Sequence, residues 1–335
     1  MSDTRPISAF VLRVGGLEQI YSQEAQQQVR ELTNPLDVQL TNDNWRDYRD
    51  LLRRVEYILS GWGMPVLDEE FLDSAPALRH VFYGSGSVRN FYTEAARLRG
   101  IGVSSAWEAN AIPTAEFAHS LIVLSLKHFW RSQRETFLSR EWSKPPHAPG
   151  VYRSKVGLVS LGAVGKRVAG MLDREHTLHV SAYDPFIADT DAAALGAKLT
   201  SLEDIFSNCD VISLHCPSLP ETRRLVGREL LESMKPYATL VNTARGDLID
   251  EAVLLQVLQK RQDLEAILDV TSDEPENAEN PLWDLTNVTI TPHIAGSING
   301  ECRRMGAYMV DELERCLCGL PLKHEVTESI LKTMA

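Results

Sequence analysis

Three short stretches in the second half of the chain each carry one polar side chain suited to reducing a carbonyl group. Arg245, Glu274 and His293 each follow an apolar run that is typical of a buried strand. A guanidinium can bind a carboxylate and polarise the adjacent C=O, and an imidazole can exchange the proton. A carboxylate bonded to an imidazole favours its protonated form. Together the three residues predict interconversion of a 2-oxo acid and a 2-hydroxy acid, although each alone is more often a surface or structural residue.

A glycine-containing turn, Ser160–Gly165, lies upstream between a predicted strand and a predicted helix. Gly162 and Gly165 occupy the second and third glycine positions of the pattern Gly-x-Gly-x-x-Gly, in which backbone approaches a pyrophosphate at the start of a helix. Ser160 stands at the first position, where serine fits if its φ is negative. We expect weaker or unchanged affinity for the dinucleotide, but not its loss.

Asp184 ends the next apolar strand, where a carboxylate can accept hydrogen bonds from ribose hydroxyls and repel a 2′-phosphate. Pro185 and Phe186 follow it, and neither is a cation that would bind such a phosphate. The alternative is that Asp184 is only a cap or turn residue. The turn and the acid together favour NAD over NADP.

Composition indicates a soluble, cytoplasmic protein of two domains. The chain has 335 residues, a formal net charge of −12 and five cysteines without Cys-x-x-Cys spacing. An acidic chain of this kind offers no basic stripe for a nucleic acid, and the cysteine pattern is typical of a reducing compartment and not of a metal centre. The start, Met1–Pro6, leads into a strand and not into an apolar signal segment, and no apolar run approaches the ~20 residues of a membrane helix.

Short apolar runs alternate with helical patterns along the whole chain, which favours an α/β fold of two flavodoxin- or Rossmann-like domains with parallel sheets. Strands are expected in the first domain at Ala9–Val14, Val55–Ser60, Leu78–Tyr83 and Ile101–Ser104, and in the second at Lys155–Ser160, His179–Tyr183, Val211–His215, Ala238–Asn242, Ala266–Val270 and Val288–Thr291.

Helical patterns suggest how the domains are divided. Ser22–Leu32 and residues 164–173 are helix candidates, and a long helix is expected from Thr114 to about Arg140, after Pro113 and before a connector at 143–150. A final helix from Gly300 to about Leu317 is expected to return to the first domain. The prediction is a discontinuous substrate domain of residues 1–110 plus 298–335, a NAD-binding domain of residues 111–297, and an active site in the cleft between them.

Several motifs identify the chain as resembling the D-isomer-specific 2-hydroxyacid dehydrogenases, which include phosphoglycerate dehydrogenases and glyoxylate/hydroxypyruvate reductases. The resemblance runs from about Gly61 to Val326 and is strongest over residues 156–296. It rests on Leu214-His215-Cys216-Pro217, Glu221-Thr222-Arg223, Met234-Lys235-Pro236, Val241-Asn242-Thr243-Ala244-Arg245-Gly246, Leu268-Asp269-Val270, Glu274-Pro275, Pro281-Leu282-Trp283 and the stretch from Asn287-Val288 through Gly296, which contains Thr291-Pro292-His293-Ile294-Ala295-Gly296.

The resemblance implies roles for individual residues. His293 would be the acid/base, Glu274 its partner and Arg245 the substrate anchor, while amides around Ser85 and Gly86 would bind the substrate carboxylate. Asp269 would hold the carboxamide of NAD. The other implied NAD contacts are Gly162, Ala163, Val164, Gly165, Asp184, Cys216, Pro217, Thr222, Thr243, Ala244, His293 and Gly296. Thr271 stands where the family often has an aromatic residue, which affects the packing beneath Glu274.

The resemblance also implies a homodimer formed around the long helix after Pro113, whose apolar face would be Phe117, Leu121, Leu124 and Phe129; an intramolecular core explains that face equally well. Trp62, Met64 and Trp107 could wall the substrate pocket, and Arg89 could meet a phosphate or a second carboxylate. Glyoxylate, hydroxypyruvate, a branched oxo acid and a sugar-derived acid all remain open as substrates.

Three other functions compete with a dehydrogenase. A formate dehydrogenase would carry a neutral glutamine in place of Glu274. A NAD-sensing corepressor of the same fold would keep cofactor and triad but is expected to carry interaction tails, whereas this sequence stops soon after Val326, as it would without a C-terminal regulatory domain. A plain NAD-binding module would not need all three residues.

Overall fold

The computed structural model describes residues 5–142, 144–174, 177–274 and 278–334. Ser143 of the predicted connector, Pro275 of the Glu274 motif and the start Met1–Thr4 lie outside the described residues. Two compact units are found along the chain: one comprises Met1–Asn110 and Ser297–Ala335, and the other comprises Ala111–Gly296.

The strands are short and mostly buried, as expected of parallel sheets covered on both faces. In the first unit they are β1 (Ile7–Val11), β2 (Asn34–Pro35), β3 (Tyr57–Ser60), β4 (His80–Tyr83) and β5 (Gly102–Ser105). In the second unit they are β6 (Lys155–Val159), β7 (His179–Tyr183), β8 (Ala197–Leu199), β9 (Val211–Leu214), β10 (Thr239–Asn242), β11 (Glu265–Leu268) and β12 (Val288–Ile290).

The α-helices alternate with these strands. In chain order they are α1 (Gly16–Ile20), α2 (Gln23–Leu32), α3 (Arg49–Leu52), α4 (Glu69–Ser74), α5 (Glu94–Leu98), α6 (Trp107–Ser125), α7 (Phe129–Ser139), α8 (Ala163–Arg174), α9 (Asp189–Ala194), α10 (Leu202–Asn208), α11 (Arg228–Ser233), α12 (Glu251–Lys260), α13 (Cys302–Leu317) and α14 (Glu328–Thr333).

The first unit is built on a five-stranded parallel sheet in the order β2-β1-β3-β4-β5, which is the flavodoxin-like order. Helix α13 contacts α1, α2, β4 and β5 of this unit. Its buried side chains, including Met305, Met309 and Leu313, join the core over one face of the sheet. The late helix thus completes the core that the N-terminal strands begin.

The second unit contains a seven-stranded parallel sheet in the order β12-β11-β10-β9-β6-β7-β8. Read from β8 to β11 this is the Rossmann order, whose strand sequence reverses between β6 and β9. The prediction of two parallel-sheet domains of flavodoxin and Rossmann type is confirmed. Within the residues that the structure describes, no helix has the length and hydrophobicity needed to cross a membrane.

The long helix predicted from Thr114 to about Arg140 is wrong in two respects. It begins earlier, at Trp107, so that Pro113 lies inside α6, where its missing N–H leaves one helical carbonyl without that partner. It also ends at Ser125, and a new helix starts after His128, which has a left-handed φ of 49°. No glycine or proline marks this break. At the break the Leu126 carbonyl accepts from Gly150 N–H, 2.8 Å, a contact with a residue outside both helices.

The four residues of the predicted apolar face are divided between α6 and α7 and differ in burial. Leu121 is 6% exposed and lies in the core under the second sheet, and Phe117 packs against that core. Leu124 is partly buried, and Phe129 belongs to the following helix and is exposed. The intramolecular alternative therefore holds for Phe117 and Leu121.

Candidate active site

The predicted functional residues of the second unit gather at one edge of its sheet. Parallel strands end on the same side, and ligands of open α/β sheets bind beyond those carboxyl ends, at the point where strand order reverses. Beyond β6, β9, β10, β11 and β12 come, respectively, the turn Ser160–Gly165, Cys216–Pro217, Thr243–Arg245, Asp269–Glu274 and Thr291–Gly296.

The glycine turn differs from expectation at its first residue. Ser160 has a φ of +78°, a left-handed conformation that glycine adopts freely and serine does not, so the condition of a negative φ is not met. A Cβ on Gly165 would lie 2.1 Å from the Ser160 carbonyl oxygen, which explains why glycine is needed where helix and strand pack together. The backbone therefore follows the glycine pattern even though the first side chain does not.

The centre of the turn faces open space. A Cβ on Gly162 would find its nearest protein atom, Ser160 Oγ, 4.0 Å away. Ala163 and Val164 begin α8, so their amides belong to the first turn of that helix. Such an N-terminus favours an anion, because its N–H groups lack helical partners.

Asp184 is tied to this turn. Its Oδ2 accepts hydrogen bonds from Leu161 N–H (2.7 Å) and from the Ser160 hydroxyl (3.2 Å), and its Oδ1 accepts one from Phe186 N–H (2.8 Å). Asp184 thus has a structural role in the turn, and its proposed role toward a ribose stays a prediction. Its carboxylate is only partly buried, so it can also accept a bond from a ligand hydroxyl.

The segment after β9 is apolar and neutral. Burial raises the pKa of the Cys216 thiol to about 12, so this thiol stays protonated. Burial lowers the pKa of His215 to about 4, and neither ring nitrogen has a hydrogen-bond partner among the described residues. Thr222 donates its hydroxyl to the Pro217 carbonyl oxygen, 2.6 Å, and so fixes the loop.

Asn242 shapes the turn after β10. Its Oδ1 accepts from Ala244 N–H at 3.0 Å, and its Nδ2 donates to the Arg245 carbonyl oxygen at 2.8 Å. Thr243 is 7% exposed, and its hydroxyl has no partner among the described residues. A buried hydroxyl without a partner is costly unless a ligand completes it.

Arg245 is a poorly solvated cation. Burial lowers the pKa of its guanidinium, and the negative charges of Glu274 and Asp247 partly oppose this shift. Within the described residues it makes no salt bridge, and its guanidinium donates one hydrogen bond, 2.6 Å, to the neighbouring Ala244 carbonyl oxygen. A desolvated guanidinium in this situation favours an incoming carboxylate, which it can bind through two parallel hydrogen bonds.

His293 and Glu274 form a short pair. The Nδ1–H of His293 donates to Glu274 Oε2, with the two atoms 2.6 Å apart. The His293 side chain is 51% exposed, so its second ring nitrogen is accessible from outside. His293 has a φ of 53°, a strained turn conformation of the kind that concentrates at functional sites.

Asp269 holds the loop that carries His293. The Asp269 carboxylate is 1% exposed. It accepts from the Thr291 hydroxyl (2.5 Å), Ile294 N–H (2.9 Å) and Ala295 N–H (2.8 Å). A contact between Asp269 and a carboxamide stays a prediction, as does the role of the partly buried Gly296.

The first unit places its predicted residues less clearly. Ser85 N–H already donates to the Tyr83 carbonyl, 2.8 Å, because the chain curls back after β4. That amide is therefore not open to a carboxylate in this structure, which leaves the amide of Gly86 as the candidate.

The other residues considered for the pocket have structural contacts in the first unit. Arg89 donates to the carbonyls of Leu331, Lys332 and Met334 at the end of α14, so its guanidinium is engaged there. Met64 is buried in the core, and Trp107 packs against it. Trp62 lies under the guanidinium of Arg13.

The residues at the edge of the second sheet fit a dinucleotide. The open face at Gly162, the unpartnered hydroxyl of Thr243 and the accessible carboxylate of Asp184 are features that such a ligand would use. Among the described residues, no group of three His, Cys, Asp or Glu side chains could hold a metal ion.

Comparison with known proteins gives the family. Residues 120–295 match the family model of the D-isomer specific 2-hydroxyacid dehydrogenase, NAD binding domain. The chain therefore belongs to the D-isomer specific 2-hydroxyacid dehydrogenase family, whose cofactor is NAD. It is 33% identical to D-3-phosphoglycerate dehydrogenase of Archaeoglobus fulgidus over 261 residues, which cover 78% of this chain and 49% of that protein. The chain spans about half the length of the curated relatives it matches.

Solved structures match over the full chain. TT0316 protein from Thermus thermophilus is 27% identical with a TM-score of 0.74, covering 96% of this chain and 100% of that one. A glyoxylate reductase from Paecilomyes thermophila is 20% identical with a TM-score of 0.77, covering 98% and 100%. The second match shows the fold alone.

Sequence reasoning assigned no role to three residues that shape the site. Asn242 holds the Arg245 turn, Thr291 helps Asp269 hold the His293 loop, and Glu251 bonds to the loop of Glu274. Asn242 and Thr291 lie inside the family motifs that contain Arg245 and His293, and their polar side chains at the ends of β10 and β12 are a sequence signal for such a role. Glu251 lies outside those motifs and has only the pattern of a first-turn helix acid.

Proposed function

We propose that the chain is a NAD-dependent oxidoreductase that interconverts a 2-oxo acid and a D-2-hydroxy acid by hydride transfer. The observation that carries this proposal is the 2.6 Å pair of His293 and Glu274 at the sheet edge that also bears Arg245 and the glycine turn. The D configuration follows from family membership.

The cofactor contacts proposed here follow the geometry of the edge. NADH, when bound, supplies the hydride. The amides of Ala163 and Val164 would hold the pyrophosphate, with Gly162 and Gly165 leaving room for it, and Asp184 would accept a hydrogen bond from the ribose. The nicotinamide half would be bordered by Cys216, Pro217, Thr222, Thr243, Ala244, Asp269, His293 and Gly296.

Arg245 anchors and polarises the substrate in this proposal. Its guanidinium has lost much of its hydration, which lowers its pKa. An incoming carboxylate and carbonyl oxygen restore hydrogen bonds to it and place partial negative charge where the guanidinium can stabilise it. The backbone amide of Gly86 is proposed as a second group for the substrate carboxylate, since the amide of Ser85 already donates to the Tyr83 carbonyl.

His293 transfers the proton. Glu274 accepts from Nδ1–H and so orients the ring, and the other ring nitrogen can donate a proton to the carbonyl oxygen. A positioned acid of this kind contributes ~10²–10⁴ in rate. Because reduction uses protonated His293 and oxidation uses the neutral form, the two directions should show opposite pH trends.

A homodimer is part of the proposal, with its surface on α7, which lies within the helical stretch predicted after Pro113. Phe137 and Leu138 of α7 are 75% and 73% exposed, and Trp142 just beyond the helix is almost fully exposed. We propose that this face is covered by a second copy, which sedimentation analysis of Phe137→Ser and Leu138→Ser against the natural chain would test. We also propose a cytoplasmic location and no nucleic-acid partner, in keeping with the net charge of −12.

The substrate is proposed to be a small 2-oxo acid. The test is NADH consumption at 340 nm with glyoxylate, hydroxypyruvate, 3-phosphohydroxypyruvate and a branched 2-oxo acid, with NADPH in parallel. Turnover of at least one acid with NADH supports the proposal, and a clear preference for NADPH contradicts the role of Asp184. Bound NADH with no turnover of any acid favours a NAD-sensing binding protein instead.

A further inference from the structure

Glu251 bonds to both sides of the loop that carries Glu274. Its Oε2 accepts from the backbone N–H of Ser272 (2.9 Å) and from the Ser272 hydroxyl (2.8 Å). Its Oε1 accepts from Nδ2 of Asn280, 2.8 Å. Ser272 lies two residues before Glu274 and Asn280 six residues after it, so one carboxylate fixes the loop on either side of the proposed partner of His293.

These bonds also connect the loop to the Arg245 turn. Glu251 is the first residue of α12, which follows the turn after Arg245 and Gly246 directly. A Cβ on Gly246 would lie 1.9 Å from the backbone of Thr271, so the two segments touch through their backbones. Glu251 therefore sits where it can set the spacing between the guanidinium of Arg245 and the carboxylate of Glu274.

An ordinary explanation of Glu251 would be favourable charge at a helix N-terminus. The capping of α12, however, is done by Asp250, whose side chain accepts from Val253 N–H at 3.2 Å. Both oxygens of Glu251 are used outside its own helix. Thr271, earlier in the same loop, is buried and donates its hydroxyl to the Asp273 carbonyl oxygen at 3.4 Å, a longer bond than those of Glu251.

We infer that Glu251 is a positioning residue for the reaction, which acts by holding Glu274 at bonding distance from His293. This inference rests on the proposed function, because it gives Glu251 no effect except through Glu274. Loss of Glu251 should leave NADH binding unchanged, since the glycine turn and Asp184 lie after other strands of the sheet.

A double-mutant cycle tests the inference with whichever acid of the panel is turned over fastest. Glu251→Ala, Glu274→Gln and the double variant are compared for kcat, KM and NADH affinity. Glu229→Ala is the matched control, because Glu229 is also an acid in the first turn of a helix of the second unit. Glu251→Ala should lower kcat about tenfold with NADH affinity within about twofold, while Glu229→Ala should match the natural chain.

The decisive comparison is made in the Glu274→Gln background. There, adding Glu251→Ala should cost less than about twofold further in kcat, because the group it positions is already altered. An equal fractional loss in both backgrounds would overturn the inference, and so would natural kcat in Glu251→Ala. If that variant fails to fold, Glu251→Gln, which keeps one acceptor oxygen, should lose about threefold in kcat; unchanged kcat there would also overturn it.

The proposed function can fail separately. Full turnover in Glu274→Gln itself would contradict the role of the His293–Glu274 pair. A large loss in Glu274→Gln combined with natural kcat in Glu251→Ala would leave the proposed function standing and remove only the role of Glu251.

Discussion

Two turns at the same edge of the second sheet have similar hydrogen bonds but differ in the burial of the aspartate that holds them. Ser160, after β6, and His293, after β12, are both non-glycine residues at positive φ. Each turn is held by an aspartate from the end of an adjacent strand, Asp184 after β7 and Asp269 after β11. Each aspartate accepts three hydrogen bonds, two from backbone amides and one from a hydroxyl.

The two aspartates differ in burial. Asp269 is 1% exposed, and its carboxylate is surrounded by the His293 loop, whereas Asp184 is only partly buried. A buried acceptor cannot be replaced by water when it is removed, and an accessible one can. The His293 turn is therefore held by a buried carboxylate, Asp269, that only the protein can use. The glycine turn is held by Asp184, whose carboxylate a ligand can also use.

The largest effect on stability should come from Asp269→Ala. Removing this carboxylate leaves the Ile294 and Ala295 amides and the Thr291 hydroxyl without their acceptor in a buried place. We expect the free energy of unfolding to fall by about 3–5 kcal/mol, measured by chemical denaturation, together with loss of turnover. A fall of less than about 1 kcal/mol would show that the hydrogen bonds of Asp269 do not stabilise the fold.

The next effect concerns pH and His215, which lies beside the glycine turn. Its pKa is lowered by burial from 6.5 to about 4, so the unfolded chain binds more protons than the folded one between these values. Stability from neutral His215 is complete above pH 6.5 and is lost as pH falls towards 4, by at most about 3 kcal/mol. His215→Leu should flatten this part of the stability–pH curve; an unchanged slope would contradict the burial of the ring.

Asp184→Ala should reduce stability less than Asp269→Ala does and should change the choice of cofactor more. Water can reach part of this carboxylate, so we expect a loss of about 1–2 kcal/mol in unfolding free energy. NADH should bind about tenfold more weakly, and the preference for NADH over NADPH should narrow because the charge that repels a 2′-phosphate is gone. Fluorescence titration with both cofactors checks this. A destabilisation equal to that of Asp269→Ala would break the comparison.

The smallest effect belongs to Ser160. Glycine relieves the positive φ, so Ser160→Gly should stabilise the chain by about 0.5–1 kcal/mol and keep NADH binding. Ser160→Ala keeps the strained backbone and loses the bond to Asp184, so it should destabilise by a similar amount. Melting temperatures of Ser160→Gly and Ser160→Ala that shift in the same direction would show that backbone strain does not govern this position. Loss of NADH binding in Ser160→Gly would mean that the turn has been misinterpreted.

The sequence predicted the parts of the fold that depend on local pattern. The apolar runs of β6, β7, β9, β10, β11 and β12 mark the strands whose ends carry the site, within two residues at each end. The strand β8 (Ala197–Leu199) was missed because it has three residues, one of them a lysine. The break between α6 and α7 was missed because it depends on contacts made far along the chain.

In the site, too, features set by local sequence could be predicted, and features set by distant contacts could not. The sequence directly predicted the three site residues and their positions after strands: Arg245, Glu274 and His293. The sign of φ at Ser160 could not, because it depends on how closely Gly165 packs against the turn. The bonds of Glu251 could not either, because they depend on the path of a loop more than twenty residues later.

The proposed role of His293 is tested most directly by the turnover of His293→Ala with NADH and the fastest acid of the panel. Turnover should fall by at least ~10² while NADH affinity stays within about threefold, because the ring moves a proton and the glycine turn binds the cofactor. Turnover close to that of the natural chain would contradict the assignment of His293 as the acid/base.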